Sequence, residues 1–213
     1  LRRSVSDNVA YGLKVRGDYS VKSRVAEALK NVGLADMGSV QANMLSSGEK
    51  QRYATFSPNG DRVAFVRSNN LVVVDLSNGE ETMITTDGKV NKVINGATDW
   101  VYEEEFGFDK AFFWSVNGEK IAYYRFDESE VVEFSMAKYG SLYPFEYKFK
   151  YPKAGEVNAI VGIHCYDLPS GNTVMIDLGD GFEYIPRIKW TQDPSVLSIQ
   201  RMNRHQNELE LLL

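Results

Sequence analysis

The 213-residue chain predicts a mainly β protein, a partial β-propeller of about two to three blades behind a short α-helical N-terminal segment. From residue 53 onward, short runs rich in β-branched and aromatic residues (63–66, 71–76, 121–126, 160–166 and 174–178) alternate with Asn/Gly/Pro turns. Within this part a ten-residue unit repeats. Phe-Ser-Pro-Asn-Gly-Asp-Arg-Val-Ala-Phe at 56–65 returns as Trp-Ser-Val-Asn-Gly-Glu-Lys-Ile-Ala-Tyr at 114–123. Before residue 53 the texture is helical, so the chain divides into 1–52 and 53–213.

In the first part, Val21, Val25, Leu29 and Val32 recur at helical spacing between Lys22, Arg24, Glu27 and Lys30, which predicts an amphipathic helix. Ser20 is its expected N-cap and Gly33 its C′ stop. Next comes Leu45-Ser46-Ser47-Gly48-Glu49-Lys50-Gln51-Arg52. A small, flexible entry into a helix exposes backbone N–H groups and suits phosphate, which makes Ser46, Ser47 and Gly48 candidate nucleotide contacts. Ser46 and Glu49 equally satisfy the spacing of a capping box. The helix expected from this string meets Pro58 and Gly60 within two turns and stops there.

In the β part, Ser57-Pro58-Asn59-Gly60 suits a type I turn, so each repeat reads as strand, tight turn, buried strand. A degenerate third copy starts at Trp190-Thr191-Gln192-Asp193. The copies are spaced wider than the ~40–50 residues of common blades, so insertions sit inside the repeat, and residues 95–110 are the natural candidate. Closed propellers need about four to eight blades. Residues 53–213 hold fewer, so the ring is not expected to close. Leu209, Leu211 and Leu213 alternate with Glu208, Glu210 and Leu212 as in a strand cut short, and unpaired edges would leave the segment poorly stable alone.

The proposed insertion carries Asp99-Trp100-Val101-Tyr102-Glu103-Glu104-Glu105-Phe106. Adjacent carboxylates repel by about 1 kcal/mol in water and by several near a protein surface, and aromatic neighbours displace the water that would screen them. A cationic partner relieves this. Neighbours on a strand point to opposite faces, whereas on a helical turn they lie about 100° apart and can grip one ligand, so the site needs a short helix or bulge. A solvated acidic run at a helix end is the competing explanation.

Other chemistries find little support. With a net charge of −5, a pI near 5.2 and no long basic run, nucleic-acid binding has no electrostatic basis. No apolar run reaches the length of a membrane span, and Leu1-Arg2-Arg3-Ser4 leads into polar residues rather than a signal-peptide core. A start at Leu rather than Met suggests a fragment or a processed product. His164, Cys165 and Asp167 fit no usual metal cluster, because strand alternation parts His164 from Cys165. No Gly-x-Ser-x-Gly elbow is present, so neither His164 nor His205 is given a catalytic role. No metal or other cofactor is expected.

The stretch 95–106, together with Tyr151-Pro152-Lys153-Ala154-Gly155 and Val157-Asn158 downstream, closely resembles the propeller segment of the dipeptidyl peptidase IV family. The resemblance implies that Glu104 and Glu105 hold the free amino terminus of a peptide, limiting cleavage to the chain end. It also implies release of dipeptides with proline or alanine second, by a Ser/Asp/His triad on a separate α/β-hydrolase domain that would be the missing partner. The arginine that this family directs at the substrate carbonyl precedes the retained region, and no residue is assigned to it. Residues 1–52 resemble the helical and signature subdomain of ATP-binding-cassette transporter ATPases, through 45–52 and Ser6-Asp7-Asn8-Val9-Ala10-Tyr11-Gly12-Leu13. Ser47 departs from the usual glycine, and no Gly-x-x-x-x-Gly-Lys-Ser/Thr loop or strand ending in Asp-Glu accompanies the signature. With both pieces partial and no linker at 52/53, a chimera of two gene fragments is expected. A transporter-subunit fragment and a non-enzymatic propeller interaction module are the alternatives. Localisation is undecided, since exported peptidases and cytoplasmic ATPases disagree.

Overall fold

The computed structural model describes residues 4, 6, 7, 10, 21–31, 51–139 and 142–213, in two compact units, Leu1–Thr86 and Asp87–Leu213. In the first unit helix α1 (Val21–Asn31) precedes an antiparallel meander, β1 (Gln51–Phe56), β2 (Arg62–Arg67), β3 (Asn70–Asp75) and β4 (Glu81–Met83). Val25 and Leu29, one helical turn apart, pack with Ala10 on Val63 and Phe65 of β2 and on Val72 and Val74 of β3. Arg24 adds a 2.7 Å hydrogen bond to the Gly60 carbonyl. The helix and the first sheet therefore share one core.

The predicted cap Ser20, the stop Gly33 and the candidates Ser46, Ser47 and Gly48 lie outside the described residues. One expectation from that stretch is corrected. Gln51 and Arg52 do not continue a helix; they begin β1, opposite Arg67 and Val66. Pairing with an already apolar β2 outweighs the local capping signal, the usual result when tertiary contacts compete with weak propensity.

In the second unit the chain runs through β5 (Val93–Asn95), helix α2 (Trp100–Glu104), β6 (Phe112–Trp114), β7 (Lys120–Asp127), β8 (Glu133–Lys138), β9 (Phe145–Lys150), β10 (Ile160–Asp167), β11 (Asn172–Met175), β12 (Tyr184–Trp190), β13 (Leu197–Met202) and β14 (Leu209–Leu212). Strand β7 is the hub. It pairs with β10 along their full length, and with β5 and β6 on its other edge; β11 closes the far side of β10. Strands β12–β13–β14 form a third antiparallel sheet. Among the described residues the architecture is mainly β, with one four-stranded, one five-stranded and one three-stranded sheet and the two-stranded β8–β9, in keeping with two to three blades.

The backbone bonds of the internal repeat recur in both copies, while the Ser57 hydroxyl donates to Asp61 and the Ser115 hydroxyl to Asn117. Gly60 N–H donates to the Ser57 carbonyl and Gly118 N–H to that of Ser115, each at 2.9 Å, and both glycines sit at φ +72°. Ser57 N–H then reaches the Arg62 carbonyl and Ser115 N–H that of Lys120, both at 2.9 Å. The two serine hydroxyls, fully buried, accept the Arg62 and Lys120 N–H groups at 3.1 and 2.9 Å. Thr191 repeats the same step in the third copy, donating to the Val196 carbonyl at 3.1 Å.

Two insertions lie between the copies, one on each side of the second. Helix α2 lies between β5 and β6, where the glutamates predicted it. The hairpin β8–β9 between β7 and β10 was not anticipated. It pairs Phe134 with Phe149 and Met136 with Tyr147 on one face, and Ser135 with Lys148 on the other.

Candidate functional site

Helix α2 is a single capped turn. The Asp99 carboxylate accepts the Tyr102 N–H at 3.0 Å, and Glu105 N–H closes on the Val101 carbonyl at 2.8 Å. Val101 and Tyr102 are buried while Glu103, Glu104 and Glu105 face solvent, so one turn divides apolar from charged as the sequence requires. Gly107 at φ +69° leaves the turn in the left-handed region; its surroundings are open, so backbone conformation rather than crowding favours glycine there.

What fixes the turn lies far away in sequence. Tyr102 sits among Phe106, Phe108, Tyr124 and Phe126, with ring centroids 4.8, 5.8, 6.0 and 4.8 Å away. Its hydroxyl accepts the Ile185 N–H of β12 at 2.8 Å, and the Tyr124 hydroxyl donates to the Ile185 carbonyl at 3.1 Å. Both backbone polar groups of Ile185 are thus held, each by a tyrosine. Arg187, two residues on, donates to the Phe106 carbonyl at 2.7 Å and lies 5.1 Å from the Phe108 ring centroid. Trp100 packs edge-on against Tyr151 at 4.3 Å, so the two sequence motifs meet in space.

Electrostatically the turn is one-sided. Among the described residues, no lysine or arginine comes within 4.0 Å of Glu103, Glu104 or Glu105. Glu104 is the last helical residue and Glu105 the C-cap, where the helix dipole disfavours negative charge. Burial pushes the Asp99 carboxyl up to about 6 against the stabilising Tyr102 N–H, and burial also raises the Tyr102 hydroxyl well above its usual range. The turn therefore presents adjacent, exposed carboxylates beside an aromatic cluster, with no lysine or arginine among the described residues to neutralise them.

The remaining candidates do not converge on it. His164, in β10, stacks on Tyr123 at 5.5 Å, and burial with the nearby Arg125 charge keeps its imidazole below the ordinary value. His205 lies in the turn between β13 and β14. Among the described residues no three His, Cys, Asp or Glu side chains gather to hold a metal, and no helix is long and apolar enough to cross a membrane. Sequence reasoning missed Tyr124, Ile185 and Arg187; each lies in an ordinary strand pattern that carries no sign of the contact.

Comparison with known proteins gives three findings. The family model for the dipeptidyl peptidase IV (DPP IV) N-terminal region matches residues 15–213. A Talaromyces stipitatus protein described as "Probable dipeptidyl-aminopeptidase B" is 37% identical over 177 residues, covering 75% of this chain and 19% of that protein; its Arthroderma gypseum namesake is 38% identical over 148 residues, covering 63% and 16%. The crystal structure of Porphyromonas gingivalis dipeptidyl peptidase 4 superposes with a TM-score of 0.73 at 43% identity, over 80% of this chain and 24% of that one. The chain spans about a fifth of the length of the curated relatives it matches.

Proposed function

The chain belongs to the dipeptidyl peptidase IV family, within the N-terminal region of that family, and from this we propose that Glu104 and Glu105 hold the protonated amino terminus of a peptide. The observation that carries the reading is the pair of exposed, unneutralised carboxylates on a turn clamped by Tyr102 and Arg187. At contact distance each carboxylate attracts an ammonium by about 1 kcal/mol in water and about 4 kcal/mol near a protein surface. An internal peptide bond offers no such charge. The pair would thus select chain ends and set how far a peptide enters.

Cleavage belongs to the same proposal and to a partner: an α/β-hydrolase domain with a Ser/Asp/His triad, acting on the second peptide bond of the held chain. Titration of this chain with the tripeptide Ala-Pro-Ala and with its N-acetylated form tests the reading. Binding of the free amine and none of the acetylated peptide is expected. Equal affinity for the two would sink it.

A second reading concerns residues 1–52 as a transporter-ATPase fragment joined at 52/53. The curated match to the Talaromyces protein covers 75% of the chain, about the share held by residues 53–213. Against it, the family model already matches from residue 15, and α1 shares a core with β2 and β3. Mass spectrometry of the native source decides: a peptide spanning Arg52 and Tyr53 is expected if the junction is genuine, and parental peptides without it would show an artefact.

A further inference from the structure

Between β9 and β10 the chain crosses residues 151–159 without a strand of its own, and 153–157 are exposed. The two ends of this crossing are seated. Tyr151 N–H donates to the Val132 carbonyl at 3.1 Å, and the Tyr151 ring meets Trp100, the first residue of α2, edge-on at 4.3 Å. At the other end the Asn158 amide donates to the Glu183 carboxylate at 2.8 Å and to the Tyr184 hydroxyl at 2.9 Å. The buried Tyr184 ring packs 5.6 Å from that of Phe106, the residue after Glu105. Arg204 fastens this end again, donating to the Glu156 carbonyl at 2.7 Å and to the Glu183 carboxylate at 2.6 Å. In the middle, Glu156 N–H closes on the Lys153 carbonyl at 2.9 Å with Gly155 at φ +89°, a tight turn that shortens the crossing. The segment is therefore tied to both ends of the glutamate-bearing turn, at Trp100 and, through Tyr184, at Phe106.

We propose that residues 151–158 brace this turn, with Tyr151 and Asn158 as positioning residues that keep Glu104 and Glu105 aimed at one point. The consequence for peptide binding rests on the amine reading above; the brace itself does not. Successive helical residues differ by about 100° in direction, so a small rotation of the turn parts two neighbouring carboxylates. A helix of five residues is too short to hold its direction unaided. The clamp from β12 acts at Tyr102 and Phe106, in the middle of the turn and at its exit. Tyr151 supplies the hold at its entrance, and Asn158 steadies the ring on which Phe106 leans. The brace works by contact rather than by charge. Its one lysine, Lys153, lies 5.8 Å from the Phe134 ring centroid and within 4.0 Å of neither glutamate.

Hydrogen exchange tests the brace without a ligand. The Tyr102 and Glu105 amides close the turn onto Asp99 and Val101, and in Tyr151→Ala their protection factors should fall about tenfold while the Tyr124 amide of β7 stays level. Tyr151→Phe keeps the ring and should restore them. Trp100→Ala combined with Tyr151→Ala should lose no more protection than Trp100→Ala alone, because one side chain acts through the other. Asn158→Ala removes a polar tether and no apolar core, so it reads the second end in a folded protein even where Tyr151→Ala is too unstable to use; the same two amides should lose protection. Calorimetric titration with Ala-Pro-Ala then reads the aim of the glutamates: binding about tenfold weaker in Tyr151→Ala and in Asn158→Ala, and restored in Tyr151→Phe. Level protection in both tether variants, or losses that add in the Trp100 and Tyr151 pair, would overturn the proposal. Wild-type affinity in both tether variants would overturn it too, leaving the amine site intact. A wild-type protein that binds no Ala-Pro-Ala, with a turn that still loosens in Tyr151→Ala, defeats the amine site alone.

Discussion

Tyr102→Ala should be the most damaging single substitution near the site. The variant removes a buried aromatic ring from a cluster of four others, which costs about 3–5 kcal/mol in comparable cores. It also strips the Ile185 N–H of its acceptor, and an orphaned buried donor costs about 1–3 kcal/mol. The two penalties share one site and do not simply add. Whole domains are stable by only about 5–15 kcal/mol, so a loss of this size brings the protein close to unfolding. Tyr102→Phe separates the contributions: the ring stays, the acceptor goes, and about 1–3 kcal/mol should be lost. Urea unfolding followed by tryptophan fluorescence measures both. If Tyr102→Phe left the midpoint unchanged, the 2.8 Å bond to Ile185 would be incidental and the turn would depend on ring packing alone.

Tyr102 also marks where sequence reading stops. The repeated turn was legible because its chemistry is local: the contacts of Ser57 and Ser115 lie within five residues, and Gly60 and Gly118 are required by a positive φ. Helix α2 was legible for a related reason, since only a short helix or bulge could present neighbouring glutamates together; its Asp99 cap emerged only in the fold. The clamp was not legible. Tyr102 and Ile185 are 83 residues apart and Arg187 and Phe106 81, and nothing in either local pattern announces the other. Glu128 was hidden differently. Between Asp127 and Glu130 it reads as part of a solvated acidic bend, and only the folded chain shows it buried. The hairpin β8–β9 does alternate, but its Phe134, Met136, Phe145 and Tyr147 are exposed, so alternation there does not mark burial.

Replacing both glutamates, Glu104→Gln with Glu105→Gln, should separate function from folding. If the pair grips a peptide ammonium, each charged hydrogen bond is worth about 1.5–3 kcal/mol, and the double variant should lose at least about a hundredfold in affinity for Ala-Pro-Ala. Stability should move the other way. Both side chains are exposed, no lysine or arginine among the described residues lies within 4.0 Å of either, and both sit at the C-terminal end of a helical turn, where negative charge costs about 0.3–1 kcal/mol. Neutralising them removes that cost and the repulsion between them, so the unfolding midpoint should hold or rise slightly. A solvated acidic run with no ligand would give the same rise without any loss of binding, and a structural role would give a fall in stability. Only residues kept against their own local preference for the sake of a ligand lose affinity while stability holds or rises, and that is the pattern expected of Glu104 and Glu105.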